Sequence, residues 1–347
     1  MILAALILAQ TATLEPFAES PKYQWNGIAI LPDGRKFAGF PRQSGPETIS
    51  MGEIRPDGTI RPYPGGGWND WSPEDKGSAE GKFVNVNAVF ADSTGGLWAV
   101  DGGSYAGRRV PGGPKLVRID PRTDRVTRVY AFDLETVPPG AVLNDVRIGA
   151  THAFLTESGQ GSLVTIDLTS GKATRRLKDH PSTKGERNRP VYVEGRKLRD
   201  EKGEEPVFNA NNLELTPDGK ILLYRPSFAP RWSQIAVVDL LDDGLSEEEL
   251  GERVQPGNET PPLGGTTMDR AGNIYLMDLE RRAIWRQALD GTTTLVLRDD
   301  RVLWGDASAI GPDGFLYVPM SQNERIPPFN GGIDDAVRPF RIFRVKL

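Results

Sequence analysis

NAVFADSTGGLWAVD, residues 87–101, carries the reading of the fold. A polar residue opens an apolar run, a Gly- and Asp-rich turn follows, and a second apolar run returns. That is a hairpin: two β-rich segments folded back across a turn whose residues tolerate tight backbone geometry. Five further copies lie along the chain: NGIAILPDGRKFAGF (26–40), NDVRIGATHAFLTES (144–158), NNLELTPDGKILLYR (211–225), GGTTMDRAGNIYLMD (264–278) and DASAIGPDGFLYVPM (306–320). A repeat of this length is one supersecondary unit stacked on its neighbours.

Working outward, a second hairpin follows most copies, as in PKLVRIDPRTDRVTRVY (114–130), GSLVTIDLTSGKATRRL (161–177), ISMGEIRPDGTIRPY (49–63) and AIWRQALDGTTTLVL (283–297). Two hairpins make a four-stranded blade. Six blades closed in a ring leave only short, protected sheet edges. The chain therefore reads as an all-β, six-bladed β-propeller. The last run, RIFRVKL (341–347), lacks a following partner, so the segment near 11–19 is expected to add the outer strand of blade six and lock the ring. Residues 13–347 form one domain on this reading. Helix signals are slight and fall on LSEEEL (245–250) and part of 194–205.

Composition agrees and excludes. The 347 residues include 39 Gly and 28 Pro, suited to many tight turns. The net charge is −5 and no basic block occurs, so a nucleic-acid partner and a polybasic membrane patch are excluded. There is no cysteine, hence no disulfide, thiolate site or Cys nucleophile, and two histidines, His152 and His180, cannot make a three-His zinc site. The opening MILAALILAQTA (1–12) has the apolar run and small residues of a secretory signal peptide, which points to a secreted or periplasmic protein; it is too short to span a bilayer. Nothing in the sequence fixes an oligomeric state.

Loop lengths separate the two faces. The turns inside the hairpins are tight, whereas 64–86, 102–113, 178–210, 226–233, 251–263 and 321–339 are long and emerge on the other face. Long loops on a rigid scaffold carry function. Each inner strand starts on that face, and aligning the copies places Asn26, Asn87, Asn144, Asn211, Gly264 and Asp306 at one position around the tunnel mouth. An all-oxygen ring suits a hard cation, Ca²⁺ or Mg²⁺, so Asn26, Asn87, Asn144, Asn211 and Asp306 are the candidate metal ligands. Asp145 and Asp306 are the candidate catalytic carboxylates. Candidate substrate contacts are Trp68 and Trp71 in the first long loop, Trp304 before Asp306, His180 as a proton shuttle, and the strand-end residues Asp101, Glu157, Arg225 and Asp278, with Glu280.

PYPGGGWND (62–70), VNAVFADSTGGLWAVDGG (86–103), PKLVRIDPRTDRVTRVYAF (114–132), LNDVRI (143–148) and RRLKDHPS (175–182) together resemble the yellow / major royal jelly protein family. That family is in turn similar to the calcium-dependent lactonases of the senescence marker protein-30 / gluconolactonase group. The resemblance implies a six-bladed ring and a tunnel-mouth metal. The lactonase pattern has Glu in blade one, Asn in blades three and four, and Asp in blade five; here those positions hold Asn26, Asn144, Asn211 and Gly264. Both Asn agree and both acids are missing. The lack of cysteines implies a bacterial member. Two functions follow: a small-molecule hydrolase or isomerase with a divalent cation at the mouth, or a non-catalytic propeller that binds a small aromatic or lactone-like ligand.

Overall fold

The structure is a computed structural model and describes residues 12–42, 49–186 and 189–347. Residues 1–12, read above as a signal peptide, lie outside the described residues apart from Ala12. Six four-stranded antiparallel sheets follow one another around a central tunnel. Their innermost strands are Gly27–Ile30, Val86–Ala91, Leu143–Ile148, Ala210–Leu215, Leu263–Met268 and Ala309–Ile310. They belong to blades one to six in that order.

The ring closes at its rim as expected. Leu14–Ser20 pairs antiparallel with Phe340–Lys346 and becomes the outer strand of blade six. It closes at the hub as well, where the Ile28 amide donates to the Ala307 carbonyl at 3.1 Å. The first and last copies are thereby joined twice.

Alternation along each strand sends apolar side chains to both sheet faces, and neighbouring blades interlock through them. Phe37, Met51, Leu97 and Val117 join blades one and two. Trp98, Val100, Leu155 and Ile166 join two and three. Phe154, Leu213 and Tyr224 join three and four, Leu223, Trp232 and Leu276 join four and five, and comparable clusters close the remaining two interfaces. Each fully buried large side chain contributes about 1.5–3 kcal/mol. Between the tight turns and the buried faces there is no room for a helical period. The helix Glu247–Glu252 forms only in an insertion, started by Ser246 and Glu249 as a capping box. Residues 194–205 hold no helix; Tyr192–Val193 and Arg196–Lys197 form a small hairpin there.

Candidate functional site at the tunnel mouth

Four inner strands carry a β-bulge at the position aligned from the sequence. Register slips between Val86 and Ala88, Leu143 and Val146, Ala210 and Asn212, and Leu263 and Thr266. A bulge leaves one residue unpaired and re-aims its side chain. The bulged residues include Asn87, Asn144, Asn211 and Gly264, so the repeat does more than shape blades: it points polar groups into the tunnel.

These residues form a linked ring. Asn26 Nδ2 donates to the Asn87 carbonyl at 3.0 Å, and Asn87 Nδ2 donates to both the Asn144 carbonyl and Oδ1 at 3.1 Å. In blade four the adjacent Asn212 makes the corresponding bond, to the Gly264 carbonyl at 3.0 Å. Gly264 has a steric cause. A Cβ there would lie 2.2 Å from the Gly305 carbonyl oxygen and 3.0 Å from Trp304 Cδ1. The gap in the ring is where blade six presses against blade five.

Asn26, Asn87, Asn144, Asn211, Gly264 and Asp306 all line one cavity of about 310 Å³, within the usual range for small-molecule sites. Its other side is aromatic. Phe208, Trp304 and Phe329 face it, with Phe208 and Phe329 ring centres 5.1 Å apart and Trp304 stacked on Phe329 at 6.2 Å and 19°. Phe228 and the 192–197 hairpin back this wall. The long loops 178–210 and 321–339 are fastened together over it: Arg325 pairs with Glu194, and the Gly331 amide donates to the Arg199 carbonyl at 3.0 Å. Sequence reasoning found the ring and Trp304 but missed Phe208, Phe329 and Asn323, because these come from loops that the repeat does not align. Phe208 lies three residues before Asn211, which is the one signal that could have found it.

Asp306 is the carboxyl of this cavity. It is 8 % exposed, its Oδ1 accepts the Ala307 amide at 2.9 Å, and Asn323 Nδ2 lies 3.5 Å from Oδ2. Burial pushes its pKa up to about 7, the bonds from Ser321 and Ala307 restrain the rise, and the negative charge of Asp145 adds to it. Asp145 lies deeper, in the narrow tunnel below the ring. Burial raises its pKa too, against the pull of Arg147, which bonds it at 3.0 Å. Arg147 also grips Glu214 with two bonds of 2.9 Å, and Thr266 donates to Glu214 at 2.8 Å. Asp145 thus belongs to a buried ionic plug. Glu324, beside Asn323, is 3 % exposed and has no hydrogen-bond partner for either carboxylate oxygen; burial pushes it up to about 8.

The other sequence candidates lie away from the cavity, and three of them share one job. Asp101 accepts the amides of Val84, Asn85 and Gly103 and pairs with Lys115 at 3.0 Å. Glu157 accepts those of Val142, Gly159 and Gln160 and pairs with Arg175 at 3.2 Å. Asp278 accepts those of Glu280 and Arg281, the Trp285 indole at 3.0 Å and the Arg281 guanidinium at 3.1 Å. Each staples a connecting loop to its strand end. Arg225 also ties loops, as a donor to the carbonyls of Ala229 and Pro261. Trp68 packs on Phe83 at 4.9 Å, and Trp71 on Tyr105 at 5.6 Å with Arg42 over its face, so both anchor the 64–86 loop. His180 caps the short 3₁₀ turn Pro181–Thr183 through the Ser182 amide, and Ser182 in turn meets the Tyr224 hydroxyl at 2.7 Å. Burial holds the imidazole below its usual pKa. Glu280 accepts the Tyr192 amide at 3.1 Å.

Fold and site together define a six-bladed propeller with a cavity of about 310 Å³ at its long-loop mouth. The chain belongs to the major royal jelly protein family, whose model matches residues 84–294. Among curated proteins none matches the sequence. Solved structures share the fold: a streptogramin B lyase at 12 % identity, covering 97 % of this chain and 98 % of its own, with a TM-score of 0.54; regucalcin from Agrobacterium tumefaciens, described as calcium-binding, at 13 % identity, 95 % and 93 % coverage and 0.55; and a luciferin-regenerating enzyme at 14 % identity, 97 % and 95 % coverage and 0.56.

Calcium takes six to eight oxygen ligands at about 2.3–2.6 Å, several of them carboxylate. The ring offers a single carboxyl, that of Asp306, and the Asn144 Oδ1 accepts a bond from its neighbour. Gly264 admits no side chain. Among the described residues no three of His, Cys, Asp and Glu come together to hold a metal. One carboxyl among neutral amides is a poor donor set for a resident Ca²⁺ or Mg²⁺, and the chemistry these side chains supply themselves is proton transfer and hydrogen bonding. No helix among the described residues is long and apolar enough to cross a membrane.

Proposed function

We propose that this propeller binds a small ring-shaped organic molecule, aromatic or lactone-like, in the mouth cavity, and that Asp306 acts on it as a general acid–base in an isomerisation or hydrolysis. One observation carries the reading: a titratable carboxyl with a pKa near 7 faces a cavity walled by Phe208, Trp304 and Phe329. The rings offer a flat apolar surface, and the amides of Asn26, Asn87, Asn144 and Asn211 offer donors and acceptors for the ligand's polar edge. A group that titrates near the working pH exchanges protons in both directions. As carboxylate, Asp306 takes a proton from an activated C–H or from an attacking water; as acid, it returns that proton to the product.

The test is a panel of lactones, esters and substituted aromatic ring compounds, read by melting temperature and by turnover. A ligand that stabilises the protein is expected to be turned over with a pH profile governed by one group near pH 7. Asp306→Asn is expected to keep the stabilisation and lose the turnover. Turnover unchanged in Asp306→Asn refutes the assignment. Added Ca²⁺ or Mg²⁺ is expected to change neither readout.

A second reading, a non-catalytic binding propeller, is favoured by the engagement of Asp145 with Arg147, which leaves one acid–base group at the mouth. Stabilisation by ligands without turnover of any would select it. Export from the cytoplasm, read from the apolar N-terminal run, belongs to the same proposal and is checked by N-terminal sequencing of the native protein.

A further inference from the structure

Arg225 is a buried cation without a counter-charge. Its side chain has no exposed surface, and no carboxylate among the described residues pairs with it. The three acidic staples each have a cation: Lys115 for Asp101, Arg175 for Glu157 and Arg281 for Asp278. Arg225 reverses the polarity of that device, donating from Nη2 to two carbonyls, and the matching anion is missing. Its charged neighbour is Arg189, of like sign, and burial together with that neighbour lowers its pKa to about 9, so it stays charged at neutral pH.

Unused donors belong to Arg225 and to residues beside it. Arg225 Nε and Nη1 have no partner. Trp232, whose ring lies 5.8 Å from the guanidinium carbon, has an unpartnered indole Nε1 and is itself fully buried. Thr260, next to the Pro261 carbonyl that Arg225 bonds at 3.0 Å, has an unpartnered hydroxyl. A buried charge without partner costs several kcal/mol, and orphaned donors add to that cost. Water would satisfy the donors and leave the charge.

We propose that Arg225 Nη1, with the Trp232 indole and the Thr260 hydroxyl, binds a small monovalent inorganic anion of the chloride class at the seam of blades four and five. The burial of all three side chains selects for small size, and donors from N–H and O–H groups select for negative charge. The inference is independent of the mouth cavity: Arg225 does not line it.

Two measurements test it on the full chain. Crystals grown or soaked in bromide should give an anomalous peak within hydrogen-bond reach of Arg225 Nη1. Bromide density at surface sites alone overturns the proposal. In solution at constant ionic strength, replacing gluconate by chloride should raise the melting temperature by about 2 °C per tenfold increase above Kd. Arg225→Met removes the charge and keeps the stem, and should abolish that dependence; an equal chloride response in the variant overturns the assignment to Arg225. If Arg225→Met does not fold, the bromide peak in the wild-type protein decides.

Discussion

Asp306→Asn should make the protein more stable at alkaline pH and leave it unchanged in acid. The carboxyl's pKa rises from an ordinary 3.8 to about 7 in the folded chain, chiefly through burial. A raised pKa means that the fold prefers the protonated form. Its contribution is therefore fully present below about pH 4 and is lost as pH climbs to 7 and past it. At about 1.4 kcal/mol per pKa unit, the full loss is about 4 kcal/mol. For a chain of this length that corresponds to about 5 °C in melting temperature. Asparagine keeps an acceptor for the Ala307 amide and never ionises. Melting curves of both proteins from pH 4 to 9 should nearly coincide at the acid end and separate through pH 4–7, with the variant higher at pH 8. A difference that does not vary with pH, or a variant that is less stable at pH 8, would refute both the raised pKa and the acid–base role built on it.

Gly264→Asp, which restores the acid of the lactonase pattern, should cost about 3 kcal/mol or more and confer no calcium binding, because the new side chain meets the Gly305 carbonyl; chemical denaturation and calorimetric titration with Ca²⁺ read the two parts. Arg147→Met should cost about 3–5 kcal/mol by leaving Asp145 and Glu214 buried without their cation, and adding Glu214→Gln should recover part of the loss in denaturant melts. Phe329→Ala should weaken any ligand of the mouth cavity by about tenfold or more, with little change in the unliganded melting temperature, since Phe329 is half-buried on a loop; titration against the stabilising compound measures it.

How much was legible in the sequence follows from what a repeat can encode. The six copies align because each must make the same hairpin and pack on the same two neighbours, and the Asn/Asp position recurs because each bulge re-aims one residue. Trp304 was visible for the same reason, two residues before an aligned position. Phe208 and Phe329 were not: they reach the cavity from loops that share no register with the blades. The strand-end residues Asp101, Glu157 and Asp278 were placed on the right face but read as ligand contacts. A carboxylate at a strand end meets the free backbone N–H groups of the following loop first, and such bonds hold it there. Trp68 and Trp71 looked like an aromatic wall in a polar loop, yet a long loop needs apolar anchors of its own, and Phe83 and Tyr105 supply their partners.

That allocation of charge bears on the chemistry of the mouth. Each carboxylate bound into a staple is unavailable to a ligand, and the one at the tunnel wall is bound to Arg147. Gly264 removes a further position by close packing. Asp306 is left alone among neutral amides, in surroundings dry enough to raise its pKa. On the proposal above, the proton of that single carboxyl is what the mouth has for chemistry. Turnover that follows the ionisation of that proton would mark an enzyme; ligand binding that follows it without turnover would mark a carrier.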